Sequence, residues 1–336
     1  RGRVLYARSH LLQTTLMIKS THSEFEKLIS GSSVNSTPEL QGFLDGIGVP
    51  YTRLDSVLTL NPGMELLDEA AIRAELQHLV SEIQLSTLDV EIHRVAQSTN
   101  DVVMQRLVDS RSTAILCAAE MQTAGKGRRG RRWVSPFGRN IYLTYGRYVK
   151  RQLSELGGLS LIVGMVVVDV LRAMGLEQVG LKWPNDIVLG GGKLGGILLE
   201  LRASDTRGIG LVAGVGLNLA LQEEEASSID QPWSTVSSQL ELPRNILLGR
   251  LGGKIVNAIQ SFEDLGFDSF AEKWSEYNLY TGQQINVIRG SEIISGIDSG
   301  VDSAGNLLLR TAAGLEAHNS GEVSVRPVVT RPVVTK

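Results

Sequence analysis

One short stretch limits what this chain can fold into, because it crowds cations and glycines between two apolar segments. Residues 120–146 read EMQTAGKGRRGRRWVSPFGRNIYLTYG, with three glycines and five cations from Gly125 to Arg132. Glycine lets the backbone approach an anion closely, and arginine offers a planar fork that pairs with phosphate or carboxylate oxygens. The flanking runs, Ala114–Ala119 and Asn140–Tyr145, are typical of strands. The stretch therefore predicts a polyanion-binding loop within a folded domain.

Two other interpretations of this loop compete with that one. Short basic runs often serve as nuclear-targeting or RNA-binding patches, and the run alone leaves that alternative open. The letters also satisfy the dinucleotide-binding pattern G-x-G-x-x-G, but that pattern needs a helix that opens at the third glycine. Residues 131–145 contain Pro136, Gly138 and a strand pattern instead. The dinucleotide interpretation is therefore rejected.

Length and composition set the scale of the molecule. A chain of 336 residues with 42% hydrophobic residues can bury a large core and predicts two or three domains. A net charge of -3 gives no overall attraction to nucleic acid or membrane. The single cysteine, Cys117, can form no disulfide within the chain and predicts a buried structural thiol in a reducing compartment. The apolar run Leu159–Leu171 is short for a membrane span, so we expect a cytoplasmic protein without membrane contact.

The N-terminal region predicts a small helical module. Residues 1–20 show no clear period, whereas EFEKLI, ELQGFLDGIG and the alternating run Tyr51–Leu60 predict two helices and a hairpin, the layout of a winged helix-turn-helix. No Lys or Arg lies between Ser30 and Thr52, and the second helix carries Glu39 and Asp45. DNA binding depends on cations that neutralise phosphates, so a structural or protein-contact role competes with DNA binding here.

The main domain opens with three predicted elements. Leu67–Ile83 has the spacing of an amphipathic helix, Asp89–Val95 alternates as a strand, and Asp101–Val108 is helical in pattern. Ser98 and Thr99 lie between the predicted strand and the helix that follows it. Hydroxyl side chains at that position either cap the helix or bind a polar ligand group.

A second chemical motif follows the cationic loop. After Leu153–Gly175, a helix with a strand as the alternative, residues 180–201 read GLKWPNDIVLGGGKLGGILLEL. The triple glycine predicts a hairpin turn, and the next residue, Lys193, does not belong to a Walker A loop because no Ser or Thr follows it. A turn lysine is often merely solvated. Lys193 near Lys182 and Asp186, however, suits adenylation, since lysines offset phosphate charge and a carboxylate can hold a divalent ion.

Further elements complete the predicted cleft. Polar residues at the ends of several strands, including the run Leu211–Leu219, predict one cleft lined by Ser98, Gln122, Lys182, Asp186, Lys193 and Asn218. Leu247–Phe270 predicts an amphipathic helix. Short glycine-punctuated strands over Gln283–Pro327 predict a small β-barrel, and the repeated prolyl tail at 328–336 predicts disorder.

Taken together, four motifs in this order resemble a biotin protein ligase of the long form. They are GKGRRGRRWVSPFGRNIYL, KWPNDIVL, GKLGGILLE and the C-terminal SGEVSVR. The resemblance implies an α+β fold whose central mixed-sheet catalytic domain, of the class II synthetase type, spans residues 66–280. A winged helix-turn-helix at 21–65 would precede it, and an SH3-like β-barrel at 281–327 would follow it.

The resemblance also implies a reaction. ATP, Mg²⁺ and biotin would be substrates, with no tightly bound prosthetic group. The biotin carboxylate would attack the α-phosphate to give biotinyl-5′-AMP, and a lysine of the biotin carboxyl carrier domain of acetyl-CoA carboxylase would accept the biotinyl group. Family members often form homodimers, and some repress biotin genes. A lipoate-type ligase and a repressor that only senses biotinyl-AMP are the alternatives.

Carried over motif by motif, the resemblance implies roles for individual residues. The catalytic residues would be Lys193, Arg128 and Lys182. Biotin would be bound by Ser98, Thr99, Asn100, Gln122, Gly125, Lys126, Arg128, Lys193 and Gly196, with the loop Gly125–Arg131 closing over the ligand. The nucleotide would be bound by Arg131, Trp133, Lys182, Asn185, Asn218 and Arg326. Asp186 would hold Mg²⁺.

One departure from the usual family spelling, GRGRRG, gives a first prediction. Lys126 replaces the first arginine, which keeps the charge and loses the bidentate geometry. We expect an active enzyme with a weaker hold on the adenylate, so a Lys126→Arg variant should release biotinyl-AMP more slowly. Release rates measured side by side test this, and equal rates would contradict it.

Overall fold

A computed structural model of the protein describes residues 20–61, 64–109, 114–204, 207–321 and 323–328. They form two compact units. The first contains the described residues up to Leu66 together with Pro136–Gly138, and the second contains Leu67–Ser135 and the chain from Arg139 onward. The predicted extension at 1–20 and tail at 328–336 lie almost entirely outside the described residues.

The first unit holds two helices and a small sheet. They are α1 (residues 20–29), β1 (Val34–Asn35), α2 (Pro38–Ile47), β2 (Tyr51–Leu54) and β3 (Val57–Leu60), with strand order β1-β3-β2. The Thr37 hydroxyl caps α2 by accepting the Leu40 N–H at 3.1 Å. Phe25 packs edge-on against Phe43 and Phe137, with centroids 5.2 and 6.0 Å apart. The predicted helices and hairpin are present, and the winged-helix assignment stays a prediction.

The second unit holds the remaining elements. In chain order they are α3 (Glu69–Gln77), α4 (Glu82–Ser86), β4 (Leu88–Ala96), α5 (Thr99–Asp109), β5 (Ala114–Gln122), β6 (Ile141–Val149), α6 (Leu159–Ala173), β7 (Gly180–Lys182), β8 (Asp186–Leu189), β9 (Gly192–Ser204), β10 (Gly208–Leu217), α7 (Arg244–Leu265), α8 (Asp268–Ala271), α9 (Trp274–Tyr277), β11 (Gln284–Arg289), β12 (Glu292–Val301), β13 (Leu307–Thr311), β14 (Gly314–His318) and β15 (Val323–Pro327).

A seven-stranded mixed sheet organises this unit, as predicted. The strand order is β4-β5-β6-β10-β9-β8-β7, with β4 and β5 parallel and the other pairs antiparallel. Alternate residues of β5 face opposite sides. Ile115 and Cys117 pack with α5, whereas Leu116 and Ala118 join the large core that includes α3, α6 and α7. Burial raises the pKa of the Cys117 thiol, so the prediction of a buried structural thiol is confirmed.

Two helix predictions have different outcomes. The single helix expected over Leu67–Ile83 is wrong, because the chain breaks into α3 and α4. Ser81 starts α4 with a capping box in which the Gln84 side chain accepts from the Ser81 N–H at 2.9 Å. The apolar segment after the loop is the helix α6, and its strand alternative is wrong.

Helix α6 belongs to the core of the described chain. The segment Leu153–Ala173, which consists of α6 and the six residues before it, is long and apolar enough to span a membrane. However, 61% of its most apolar 18-residue stretch is buried inside the protein. Length and composition are weak grounds for a membrane span when a helix is covered in this way, since core helices have the same composition.

The C-terminal strands form a second sheet, with the order β14-β13-β12-β11-β15 and antiparallel pairing throughout. The indole N–H of Trp183 donates to the Gly305 carbonyl at 3.0 Å and so joins this sheet to the end of β7. The predicted barrel shape stays a prediction, because the pairings found among the described strands are those of a sheet.

A buried carboxylate ties the strand ends of the main sheet to α7. Glu120 is fully buried and accepts from the Leu67 N–H, from Arg94 Nη1 at 3.3 Å and from Arg244 Nη2 at 2.7 Å. Arg244 also donates to the Asn140 carbonyl at 3.1 Å. Charge pairs of this kind are costly to break, because removal of one partner leaves the other buried and uncompensated.

A Glu120→Gln variant tests this dependence. It keeps the shape of the side chain and removes its charge, so we expect a loss of about 3–5 kcal/mol in the free energy of unfolding. Urea titration measures it. Glu69→Gln, which removes an exposed ion pair with Arg73 at 2.7 Å, is the control and should cost about 0.5 kcal/mol or less. Equal losses from the two variants would contradict the assignment.

Candidate active site

The ends of the central strands surround a cavity of about 120 Å³. It is lined by residues of the cationic loop, by the start of α5, by β9 and β10, and by β15 of the second sheet. Eight cations line it against one carboxylate, that of Asp186. The cations are Lys126, Arg128, Arg129, Arg131, Arg132, Lys182, Lys193 and Arg326. Such an imbalance favours an anionic ligand that carries several charges.

One wall of the cavity is a buried hydrogen-bond network around Gln122. Its Oε1 accepts from the Thr99 N–H at 2.9 Å, and the Thr99 hydroxyl lies 3.1 Å from the same oxygen. The Thr144 hydroxyl is 2.8 Å from both the Thr99 hydroxyl and Asn100 Oδ1. Asn100 Nδ2 donates to Glu200 at 2.7 Å. The network therefore fixes the orientation of each amide.

The N–H and O–H groups of this network determine what the wall can offer a ligand. Gln122 Nε2 donates to the Ser135 hydroxyl at 3.1 Å, which uses one of its two N–H groups and leaves the other. Three contacts join the Thr99 and Thr144 hydroxyls to their neighbours, but only two hydroxyl protons are present, so one contact in the network has no proton between its oxygens. The buried Ser98 hydroxyl adds a further donor and acceptor to this wall. Such a wall suits a small polar head group.

The opposite wall holds two lysines on one carboxylate. Asp186 Oδ2 lies 2.7 Å from Lys182 Nζ, and Asp186 Oδ1 lies 2.6 Å from Lys193 Nζ. Burial raises the pKa of Asp186, but the two ammonium groups outweigh it and the net pKa lies below the ordinary value. Lys193 is thus held in the site, and its interpretation as a solvated turn lysine is wrong.

This arrangement bears on the predicted Mg²⁺ ligand. Both oxygens of Asp186 are engaged by ammonium groups, which repel a cation. Within the part of the chain that the structure describes, no cluster of three His, Cys, Asp or Glu side chains could hold a metal ion. The residues therefore do not fit a metal bound directly by Asp186, and the role of this carboxylate as a Mg²⁺ ligand stays a prediction without geometric support.

Arg128 crosses the cavity from the loop. Its Nη1 donates to Asn185 at 3.0 Å, and its Nη2 donates to the Ser320 carbonyl and, at 3.3 Å, to the Gly321 carbonyl. Burial lowers the pKa of Arg128, and Arg129 and Arg131 add to this, while Asp186 opposes it. Arginine stays charged in proteins, so a lowered pKa marks a cation that an anionic ligand would stabilise.

The cationic loop is folded as a tight hairpin. The Gly127 N–H donates to the Arg131 carbonyl at 2.7 Å, and the Trp133 N–H donates to the Gly125 carbonyl at 2.8 Å. At the tip, Arg129 has φ 61° and ψ 35°, a left-handed conformation that side chains rarely adopt. The exposed guanidinium groups therefore stand on a well-defined backbone.

A second cavity of about 300 Å³ adjoins the first. The two share Arg131, Arg132, Trp133, Lys193 and Gln231. The indole of Trp133 lies flat against β10, where a Cβ added at Gly216 would stand 2.6 Å from its ring. Its Nε1–H has no hydrogen-bond partner among the described residues, and Lys193 Nζ lies 5.6 Å from the ring centroid. An aromatic wall of this kind suits a planar heterocycle.

The structure brings most of the predicted site residues together. The predicted single cleft needs one correction, because Asn218 lines the second cavity, where its backbone N–H is bonded to the Leu194 carbonyl at 2.8 Å. Gly125 is buried and lines a shallow outer groove of the loop instead of either cavity. The remaining predicted residues line the first cavity, namely Ser98, Thr99, Asn100, Gln122, Lys126, Arg128, Arg131, Trp133, Lys182, Asn185, Asp186, Lys193, Gly196 and Arg326. Their individual roles stay predictions.

Three supporting residues were missed from the sequence. Thr144 is a fully buried polar residue within a strand-like apolar run, a signal that the alternation of that run could have given. Ser135, which holds Gln122, and Gln231, which lines both cavities, lie in loops where no pattern distinguishes them.

Comparison with known proteins places this geometry in a family. Residues 92–218 match the model of the Biotin/lipoate A/B protein ligase family, and residues 280–326 match that of the Biotin protein ligase C terminal domain. The Bifunctional ligase/repressor BirA of Escherichia coli is 36% identical over 244 residues, which cover 72% of this chain and 76% of that protein. The Biotin--[acetyl-CoA-carboxylase] ligase of Mycobacterium tuberculosis is 30% identical over 263 residues, 76% of this chain and 95% of that protein.

A solved structure agrees with these relatives. The biotin protein ligase from Aquifex aeolicus in complex with biotin and ATP superposes with a TM-score of 0.58 at 26% identity, over 71% of this chain and 99% of that one. The sequence matches, the shared fold and the cationic cavity agree, and the chain belongs to the biotin protein ligases.

Proposed function

We propose that this ligase activates biotin with ATP and transfers it to a lysine of a biotin carboxyl carrier protein. In the first step, a biotin carboxylate oxygen forms a bond to the α-phosphorus of ATP, and the bond to the bridging oxygen of pyrophosphate breaks. In the second step, the lysine amine attacks the acyl carbon of biotinyl-AMP, an amide forms, and AMP leaves with the bonding electrons. Activation supplies the leaving group that a free carboxylate lacks.

The single observation that carries this proposal is the charge of the first cavity. Eight cations against one carboxylate would strongly repel a positively charged ligand, and they favour a ligand with several phosphate charges. The amide and hydroxyl groups of Gln122 and Thr99 lie in the same cavity and suit a neutral cyclic urea, which offers both a carbonyl and N–H groups. One ligand that combines an anionic centre with a neutral head group matches both walls.

The lysine pair gives this site its proposed catalytic residues. Lys193 and Lys182 offset the charge that develops on the carboxylate and the α-phosphate, and Arg128 adds a third cation from the loop. Asp186 holds both ammonium groups in place before substrate arrives, so less reorganisation is needed during the reaction. Trp133 and Asn218 in the second cavity, with Arg131, Asn185 and Arg326, would contact the nucleotide.

Magnesium enters this proposal with the nucleotide. Mg²⁺ keeps several waters and is usually bound through substrate phosphates, which is consistent with its arrival as Mg·ATP. It would neutralise phosphate charge and favour departure of pyrophosphate. Both oxygens of Asp186 are occupied by lysines, so the roles proposed for this chain's residues do not depend on a metal ligand.

Several further assignments accompany this proposal, and the proposed function does not require them. We propose a winged helix-turn-helix at residues 21–65, a catalytic domain at 66–280 and an SH3-like barrel at 281–327. The acceptor would be the carrier domain of acetyl-CoA carboxylase, the protein named for the Mycobacterium tuberculosis relative. We also propose a homodimer, which the family resemblance implies, and a cytoplasmic location, which the single buried cysteine favours.

Labelling of the carrier domain tests the proposal. The protein, incubated with ATP, Mg²⁺, biotin and an apo carrier domain, should add the mass of one biotinyl group to one carrier lysine. Lys193→Ala should slow labelling by about 10²–10³-fold, the typical cost of one preorganised charge-stabilising donor. Lys254→Ala, which removes an exposed lysine from α7, is the matched control and should leave the rate unchanged.

The same assay separates the alternatives. Lipoate replaces biotin in a parallel reaction, and ATP–pyrophosphate exchange is followed with each acid. Exchange with lipoate alone would identify a lipoate ligase. Adenylate formation with no carrier labelling would identify a sensor of biotinyl-AMP and overturn the transfer step.

The N-terminal unit gives a prediction about DNA. No Lys or Arg lies between Ser30 and Thr52, so the region around α2 has few cations for phosphate contacts. We expect weak binding to the organism's biotin-operon promoter in a gel-shift assay, even with biotinyl-AMP present. Tight, salt-sensitive binding would contradict this expectation and restore repression as a second function.

A further inference from the structure

The cationic loop has an ion-pair contact at its start. Lys126 Nζ contacts Asp101 Oδ1, and the two side chains are 40% and 47% exposed. Asp101 lies in the first turn of α5, directly after the cavity-lining residues Ser98, Thr99 and Asn100. The pair therefore connects the loop to α5, whose first residues belong to the hydrogen-bond network around Gln122.

Lys126 differs from its neighbours in this respect. Of the five loop cations, it alone forms an ion pair with a carboxylate in the part of the chain that the structure describes. The hydrogen bond to Asp101 is the largest contribution to a raised pKa of Lys126, and Glu200, which orients Asn100, adds a smaller one. The ammonium group of Lys126 is thus paired with a carboxylate of α5, whereas the guanidinium group of Arg128 extends into the cavity.

The position of Lys126 lets one contact act on the whole loop. Lys126 pairs with Arg132 across the hairpin, and the Gly127 N–H donates to the Arg131 carbonyl. A restraint on Lys126 is therefore passed to the opposite side of the hairpin, which lines both cavities. At the other end, Arg128 bonds Asn185 and two carbonyls of the segment between β14 and β15. The loop is held at its start and near its tip.

We propose that Asp101 is a positioning residue that acts through Lys126 to keep the loop closed over the bound acyl-adenylate. Asp101 touches no substrate in this role. Its effect is on the rate at which biotinyl-AMP escapes before transfer. The inference rests on the proposed function, because it requires that the site holds an acyl-adenylate.

The size of the effect follows from the exposure of the pair. Solvent-exposed ion pairs contribute little, typically 0.2–1 kcal/mol, and a change of 1.4 kcal/mol is tenfold in an equilibrium constant. Loss of the pair should therefore speed escape by about 1.4- to fivefold. Salt screens exposed charges, so the difference from the unaltered protein should shrink as ionic strength rises.

A double-mutant cycle with Asp101→Asn and Lys126→Gln tests this coupling. Each protein is loaded with biotinyl-AMP, and its release is followed at about 0.05 and 0.5 M salt, across which the screening length falls several-fold. Each single variant should release biotinyl-AMP about 1.4- to fivefold faster at low salt. The double variant should be no faster than the faster single variant, and the differences should fade at high salt. Asp101→Glu should restore slow release.

Matched measurements exclude a structural explanation. Asp109→Asn, at the far end of the same helix, removes an exposed carboxylate bonded to Gln105 and should leave release unchanged. Thermal unfolding of each variant shows whether α5 itself is weakened, a change that would persist at high salt. Multiplicative effects of the two single variants, or release that is unchanged in Asp101→Asn, would overturn the inference.

The outcomes distinguish a failure of this inference from a failure of the proposed function. If the unaltered protein forms no biotinyl-AMP from ATP and biotin, the proposed function fails. If it forms and retains the adenylate but the cycle shows no coupling, only the role of Asp101 fails.

Discussion

The concentration of positive charge in one small cavity is the constraint on which the rest of the structure depends. Like charges at such separations repel, and the partial burial of Arg128, Lys182 and Lys193 removes part of the water that would screen them. The protein meets this cost in two ways. Asp186 binds Lys182 and Lys193, and backbone carbonyls together with Asn185 accept from Arg128. The uncompensated remainder favours a polyanionic ligand.

The surrounding fold keeps these charges in place. The strands β8 and β9 carry Asp186 and Lys193 on opposite sides of a hairpin whose turn residues, Gly190 and Gly191, both have positive φ. That conformation is strained for other residues and sets the twist of a tight hairpin. The buried Glu120, two residues before Gln122 on β5, fixes the ends of strands that carry the Gln122 network. Rigid elements thus support both walls.

Much of the site could be predicted from sequence because its motifs are local. Lys182 and Asp186 lie within one short segment, and the glycine-arginine loop is continuous, so spacing alone was informative. The residues that were missed act at a distance in sequence. Thr144 of β6 contacts Thr99 at the start of α5, and Asp101 of α5 contacts Lys126, which follows β5. The broken helix at Leu67–Ile83 was missed because the capping of α4 competes with hydrophobic periodicity.

The wall shared by the two cavities has a thermodynamic consequence. Trp133 and Lys193 face both compartments, so any shift that one ligand imposes on them changes the shape offered to the other. Such linkage is reciprocal in free energy, whichever compartment fills first. The affinity for the small molecule in one compartment would then change when the other compartment is filled, by the same factor in both directions, and that factor would quantify the cooperation between the halves.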